Sequence, residues 1–357
     1  DPDLVDRALR GTARDGDAGF LRQIELLFSP DGYYAEGPYY QRYALAPFII
    51  FARAIEENEP ERGIFAYRDG VLLKAVEGLL QATYDGLIIP INDSLPEKGI
   101  RSEEIITGVA VAYAQTRDPG LLSIARAQGR TILSPDGLAI AESLASAPLQ
   151  PFDFRSVQLR DGPDGNLGSL ALLRSSGADG ALLVMKNTQQ GLGHGHFDRL
   201  NWLLYDNGNP VIRDYGAARF LNIEAKDGGG YLDENETWAM QTVAHNTLVV
   251  NGQSHFGGDW MLGEAFGTTP LLFETSDQNG VQIVSGRTAD AYPGVVLTRT
   301  LAMVEHPDLA FPLVIDLMRA DGSEPALYDL PLHFNVHIIT RGFEARQALA
   351  ERPVLGD

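Results

Sequence analysis

The hydrophobic period of the chain changes once, near Pro151, and this change limits the fold more than any other feature. Before it, apolar residues recur at helical spacing, as in Leu72, Val76, Leu79 and Leu80, which share one helix face. After it, short apolar runs alternate with turn residues, which is the pattern of strands. Helices followed by strands predict an α+β protein with separate domains.

Two domains are therefore predicted, with a boundary between residues 148 and 149. Glycines divide residues 1–148 into several helices of ordinary length, which favours a helical toroid or bundle. Residues 149–357 contain strand candidates at 170–173, 182–185, 202–205, 247–250, 281–284 and 295–297. Between two of these runs, Asn207-Gly208 accepts positive φ and predicts a hairpin. Strands with such turns favour an antiparallel β-sandwich.

The charge balance restricts the partners of the chain. It has 28 Lys and Arg against 48 Asp and Glu, a net charge of −20, which argues against generic nucleic-acid or anionic-membrane binding. Without cysteine, disulfides and thiolate metal sites are excluded. No apolar run reaches the roughly 18 residues of a membrane span. The N-terminus lacks the features of a signal peptide, and we expect the chain to be part of a longer or processed protein.

Tyrosines are concentrated in one segment, with five in the eleven positions from Tyr33 to Tyr43. Pro38 is suited to the first turn of a helix, on which Tyr39, Arg42 and Tyr43 would share a face. The aromatic rings are typical of a helix start packed in the core. Alternatively they form a sugar platform, in which arginine grips a uronate carboxylate through two hydrogen bonds. Both interpretations remain open on spacing alone.

Histidines are concentrated in a second segment. Of seven, four lie within 62 residues, namely His194, His196, His245 and His255. His196, Asp214 and His245 each lie at a predicted strand edge, where an antiparallel sheet can bring them together. Two histidines and a carboxylate suit zinc, with a fourth position for water. The alternative is a set of hydrogen-bonded histidines at strand ends.

A glycine triplet, Gly228, Gly229 and Gly230, precedes Tyr231. It indicates a mobile loop that presents the tyrosine ring, or only a flexible connection.

Together these segments resemble polysaccharide lyase family 17, the oligoalginate lyases, and more loosely the heparinase II/III-like lyases. The matching strings are DGYYAEGPYYQRYALAPF, LGHGHFDRLN, IRDYGAARF, GGGYLDENETW and AHNTLVVNGQSHFGG, which lie between Asp31 and Gly258. Outside them the match rests on the order of helices and strands. The resemblance implies an incomplete α/α-toroid, a following antiparallel β-sheet domain, and an active site in the cleft between them.

The resemblance also implies roles for ten residues. It assigns catalysis to Tyr40, Tyr231 and His194, a structural zinc ion to His196, Asp214 and His245, and substrate binding to Gln41, Arg42, Tyr43 and Arg219. The family also has an Asn-His pair upstream of the PYYQRY string that neutralises the substrate carboxylate. No such pair precedes Asp31 in this chain.

The implied reaction is β-elimination from alginate or its oligosaccharides, giving 4,5-unsaturated uronates. It needs a cation or hydrogen-bond donor on the uronate carboxylate, a base for the C5 proton and an acid for the leaving oxygen. Because a free phenol has a pKa of about 10, a tyrosinate base needs nearby cations. We expect Tyr231 to be the base and Tyr40 the acid, with the roles exchangeable.

Three alternatives remain open. The first is a glycosaminoglycan lyase of the same fold, for which more Lys and Arg would be expected. The second is a hydrolase, which needs a carboxylate pair such as Glu36 and Asp198. The third is a non-catalytic uronate-binding protein. A polymeric uronate substrate suggests a periplasmic or secreted location, and the family suggests a homodimer.

Overall fold

Helices and strands follow one another in the predicted order. The computed structural model describes residues 2–146, 148–176, 180–219, 231–275, 280–338 and 340–345. The α-helices are α1 (Pro2–Arg10), α2 (Phe20–Leu27), α3 (Pro38–Asn58), α4 (Tyr67–Gln81), α5 (Glu103–Thr116), α6 (Pro119–Gln128), α7 (Pro135–Ser146) and α8 (Trp260–Ala265). Among the described helices, none has the length and apolar character that crossing a membrane requires.

The strands form two larger antiparallel sheets and two small pairs. The strands are β1 (Thr83–Tyr84), β2 (Leu87–Ile88), β3 (Val157–Asp161), β4 (Gly168–Arg174), β5 (Leu182–Asn187), β6 (Asn201–Asp206), β7 (Asn209–Ile212), β8 (Val249–Val250), β9 (Thr269–Glu274), β10 (Val281–Tyr292), β11 (Val295–Val304), β12 (Leu313–Gly322) and β13 (Tyr328–Asp329). The five-stranded sheet has the order β3-β4-β5-β6-β7, and the four-stranded sheet has the order β12-β11-β10-β9.

The five-stranded sheet is the middle layer of the protein. On one face, Leu170 and Leu172 belong to an apolar cluster with Ile89 of the helical part. On the other, Leu173 shares a cluster with Leu301 of the four-stranded sheet. All residues of β5 are buried, whereas burial alternates along β11. Burial on both faces therefore explains the continuous apolar runs of the sequence.

Helix α3 is held against α5 by a close approach at Gly108. A Cβ atom at this position would lie 2.9 Å from Cδ2 of Leu45, so a larger residue would force the Leu45 side chain to shift. Helix α3 begins at Pro38, as predicted. The packing thus fixes the helix whose first turn carries Tyr40.

The predicted hairpin is confirmed. β6 ends at Asp206 and β7 begins at Asn209, with φ of 48° at Asn207 and 74° at Gly208. The predicted strand at 247–250 is shorter, because β8 covers only Val249–Val250. Side-chain bonds replace the strand ladder there, since the hydroxyl of Thr247 donates to the Arg199 carbonyl. The predicted domain boundary lies in the connection between α7 and β3.

A buried arginine joins the four-stranded sheet to the segments that precede β6 and β8. Arg299 is 1% exposed and makes a two-point ion pair with Asp316, at 2.7 and 2.6 Å. Its Nη1 donates to the carbonyls of Leu200 and Asn246. The guanidinium therefore satisfies backbone oxygens that no strand partner reaches.

We expect Arg299→Met to lower the free energy of unfolding by about 3–5 kcal/mol, because it leaves Asp316 and two buried carbonyls without their donor. The matched control is Arg319→Met, which breaks an exposed pair with Asp321 on the same sheet and costs less than about 1 kcal/mol. Urea unfolding of both variants measures the difference. Equal losses would contradict a structural role for the Arg299 clamp.

Candidate active site

Two tyrosines from distant parts of the sequence meet in one cleft. Tyr40 lies on the first turn of α3, and its hydroxyl is 2.5 Å from that of Tyr231, 191 residues away. Either oxygen can donate in this hydrogen bond. The ring of His194 stacks on Tyr40, with 3.6 Å between ring centroids and 11° between planes. The three residues with predicted catalytic roles are therefore in contact.

Arg219 lies beside the tyrosine pair. Its guanidinium carbon is 5.3 Å from the ring centroid of Tyr231, and the two residues form an isolated antiparallel bridge. The predicted glycine-rich loop, Gly228 to Gly230, lies outside the described residues. Arg219 is thus placed to offer a positive charge to a group bound at Tyr231.

Burial favours the protonated form of both phenols. Burial raises the pKa of Tyr40, and this outweighs the lowering by the hydrogen bond from Tyr231. Burial, followed by the negative charge of Asp93, raises the pKa of Tyr231 far above its usual range. Arg219 lowers the pKa of both phenols, but by less than burial raises it. A tyrosinate base therefore needs a change that substrate binding brings about.

Two predicted substrate ligands lie beneath the cleft surface. Gln41 is 1% exposed, and its Nε2 donates to the carbonyls of Gly32 and Ala75. Arg42 is 4% exposed and donates to Glu104 at 2.7 Å. The Gln41 amide is therefore held by the fold, whereas Nε and Nη2 of Arg42 are buried without a hydrogen-bond partner. Substrate binding by both residues stays a prediction.

Tyr43 covers Arg42 and faces solvent. It is 46% exposed, and the guanidinium carbon of Arg42 is 3.9 Å from its ring centroid. Burial raises the pKa of Tyr43, but the hydrogen bonds of Tyr39 and Arg42 outweigh it, and the pKa is lowered. Tyr43 is exposed and Arg219 is half-buried, so these two predicted substrate residues remain accessible to solvent.

The three predicted metal ligands converge below the cleft. One ligand atom each from His196, Asp214 and His245 lies within 4.8 Å of the others, and all three residues are buried. Nδ1 of His196 and Nε2 of His245 are buried without a hydrogen-bond partner. Unpartnered ring nitrogens beside a carboxylate are the donors that a zinc ion uses, so the residues fit the metal.

Other polar residues surround these groups and carry no spacing signal in the sequence. Asp93 follows β2 and hydrogen-bonds both His194 and His196. Lys186 and Asp198 form an ion pair in which both side chains are buried. Asp198 was considered from the sequence only as a hydrolase carboxylate, and Lys186 could have been noticed because a lysine that follows the apolar run of β5 needs a buried partner.

The cleft extends away from the tyrosine pair. It has a volume of about 1060 Å³ and runs from His194 and Tyr231 to Trp260. Its lining includes the acidic residues Asp233 and Glu236. The cleft therefore combines aromatic rings with carboxylates.

Within the tyrosine cluster, we expect Tyr43 to ionise first as the pH rises, because its pKa lies below the usual value of about 10. The difference between the ultraviolet titrations of the native protein and Tyr43→Phe isolates this phenol. Arg42→Gln should raise its midpoint. Tyr205→Phe is the control, since burial raises the pKa of Tyr205. A Tyr43 midpoint at or above that of a free phenol would contradict the geometry.

Comparison with known proteins places these features in a family. Residues 157–353, more than half of the chain, match the family model described as heparinase II/III-like, C-terminal. The chain is 60% identical over 356 residues to an alginate lyase of Stenotrophomonas maltophilia strain K279a, and covers 48% of it. It is 49% identical over 355 residues to an exo-oligoalginate lyase of Saccharophagus degradans, and again covers 48%. The chain thus spans about half the length of these curated relatives.

Solved structures share the fold. A heparinase III superposes on 90% of this chain, and on 43% of its own, with a TM-score of 0.65 at 15% identity. The heparan sulfate lyase of Pedobacter heparinus superposes on 79%, and on 38% of its own, with a TM-score of 0.57 at 16% identity. The predicted α+β class, with an incomplete α/α-toroid before antiparallel sheets, is confirmed. The match of residues 157–353 to the family model shows that the chain belongs to the heparinase II/III-like family.

Proposed function

We propose that the chain carries the catalytic cleft of a lyase that cleaves alginate or its oligosaccharides by β-elimination. The observation that carries this proposal is the meeting of Tyr40 and Tyr231 at 2.5 Å beside His194. The names of the two curated relatives, alginate lyase and exo-oligoalginate lyase, support the substrate class.

The chemistry divides between the two phenols. One takes the C5 proton of a uronate, electrons move into the C4–C5 bond, and the bond to the 4-O-glycosidic oxygen breaks. The other phenol donates its proton to that oxygen, which leaves as a hydroxyl. Tyr231 as base and Tyr40 as acid is the sequence-based assignment, and their shared hydrogen bond lets the roles exchange. In mannuronate, where proton and leaving group share a face, one tyrosine can perform both steps.

Positive charge at the tyrosine pair supports the elimination step. Arg219 is placed to bind the uronate carboxylate, which favours the charge that develops as the C5 proton leaves. It also opposes the burial that raises the pKa of both phenols. A phenolate at either tyrosine would accept a hydrogen bond from the other, which stabilises the base without a further cation.

The alternatives differ in what they require of the cleft. A hydrolase based on Glu36 and Asp198 is disfavoured, because Asp198 is 1% exposed and paired with Lys186. A binding protein has no need for two phenols within reach of one sugar ring. A glycosaminoglycan lyase would use the same tyrosines, but the net charge of −20 suits sulfated substrates less well.

The proposal includes a structural zinc ion held by His196, Asp214 and His245. The ion would join three segments: the one after the 3₁₀ turn Leu192–His194, the one after β7, and the one before β8. It would thereby fix the floor of the cleft. The histidine-rich donor set disfavours calcium, which prefers oxygen. A periplasmic or secreted location and a homodimer also belong to the proposal.

We expect polymannuronate to gain ultraviolet absorbance when incubated with the enzyme, because only elimination creates a conjugated 4,5-unsaturated uronate. Tyr40→Phe should reduce the rate by about 10²–10⁴-fold, the usual contribution of a general acid or base. Tyr205→Phe, the same substitution outside the cleft, should retain the rate. The assay is run on this chain and on a chain extended to the length of the curated relatives. Absence of a rise in both would contradict a lyase.

We expect the purified chain to hold one zinc ion, measured by elemental analysis, and His245→Ala to lose it. His306→Ala is the control, because His306 is exposed and lies outside the cluster. Zinc at a hundred times its dissociation constant should stabilise the native protein by about 2.7 kcal/mol, seen as a higher melting temperature. Equal zinc content in both variants would place the metal elsewhere.

A further inference from the structure

One carboxylate contacts both a proposed metal ligand and the histidine that stacks on Tyr40. Asp93 lies in the connection between β2 and α5, on the helical side of the cleft, and is 3% exposed. Its Oδ2 is 3.1 Å from Nδ1 of His194, and its Oδ1 is 3.2 Å from Nε2 of His196. Its backbone N–H also donates to the His194 carbonyl, at 3.1 Å.

These contacts fix the protons of the two histidines. A carboxylate only accepts, so His194 must carry its proton on Nδ1 and His196 on Nε2. The lone pair of His196 then lies on Nδ1, which is the buried ring nitrogen without a partner. His194 is held by the same carboxylate in the orientation that stacks on Tyr40.

The same carboxylate reaches Tyr231 through an asparagine. Nδ2 of Asn235 donates to Oδ1 of Asp93 at 2.9 Å. Oδ1 of the same asparagine accepts from the Ala218 N–H at 2.8 Å. Ala218 in turn accepts from the Leu232 N–H at 3.1 Å. These bonds lie next to the backbone bridge between Arg219 and Tyr231. They therefore help to hold Tyr231 opposite Arg219.

We propose that Asp93 is a positioning residue shared by the metal centre and the tyrosine pair, so that metal binding at His196 and the orientation of His194 depend on each other. A hydrogen-bond partner behind a metal-bound histidine fixes its tautomer and its direction. Here that partner is also the support of a residue in the cleft. The inference rests on the proposed metal centre, and it extends the proposed lyase by linking the metal to the catalytic residues.

The first experiment measures zinc affinity by competition with a chromophoric chelator, using the full chain. Asp93→Asn replaces one acceptor oxygen by an N–H donor, which then faces the N–H donor of a neighbouring side chain. Zinc binding should therefore weaken about 10–100-fold. Glu97→Gln is the matched control, since it removes the same charge from an exposed position of the same connection. It should bind zinc within about twofold of the native chain. Equal affinity in Asp93→Asn and the native chain would overturn the proposal.

The second experiment has its main arm in the native chain, so its first outcome does not depend on how the Asp93 variant folds. The native chain, labelled with ¹⁵N-histidine and freed of metal, is titrated with zinc at fixed pH, with resonances assigned from His194→Gln. We expect zinc to shift the ring nitrogens of His194, although His194 is not a ligand. In Asp93→Asn this shift should disappear, and in Glu97→Gln it should remain.

The outcomes separate the three proposals. Zinc binding without a shift at His194 overturns the coupling and leaves the metal centre intact. No zinc binding by the native chain overturns both the metal centre and the coupling. The lyase proposal is judged independently, by the absorbance of the unsaturated product.

Discussion

The burial of the five-stranded sheet on both faces is the constraint on which the site depends. Helices cover one face and the four-stranded sheet covers the other, and polar groups at one end of the strands are buried as well. Such groups must be satisfied by one another. They gather at one end of the sheet, in the segments that carry the buried residues Lys186, Asp198, Asn201, Asp214, His245 and Asn246.

Pairing within this group determines its charge state. Burial raises the pKa of Asp198, but the positive charge of Lys186, followed by that of His245, outweighs it and lowers the pKa. Asn201 donates to Asp214 at 2.7 Å, which orients a predicted metal ligand. The predicted metal ligands are therefore held by protein hydrogen bonds, and an ion that bound there would meet donors already in place. Such preorganisation reduces the ordering that binding would otherwise require.

The fold could be predicted from the sequence because its periods follow from burial. The helical spacing before Pro151 and the hairpin at Asn207 both report local backbone preferences, and the structure confirms them. Individual side-chain contacts could not be predicted from the sequence in the same way. Gln41 and Arg42 lie in the same string as Tyr40, and only the packing of α3 shows that their polar groups face inwards.

The contacts of Asp93 have no local signature at all. It lies 101 residues from His194 and 142 from Asn235, and an Asn-Asp-Ser string in a connection predicts only a turn. The chain bends towards the histidine loop because Asn92 adopts a φ of 60° and donates to the Glu36 carbonyl. Long-range polar partners of this kind depend on tertiary packing, which spacing does not encode.

The net charge of −20 and a polyanionic substrate are compatible if local charge governs binding. At physiological ionic strength the Debye length is about 8 Å, so distant surface acids are largely screened. Charges of both signs act on the tyrosine pair, since Arg219 lies over Tyr231 and Asp93, hydrogen-bonded by two histidines and Asn235, raises the pKa of both phenols. The exposed acids Asp233 and Glu236 also line the cleft. Binding of an anion there therefore depends on short-range contacts with Arg219 and the two phenols, and not on the total charge of the protein.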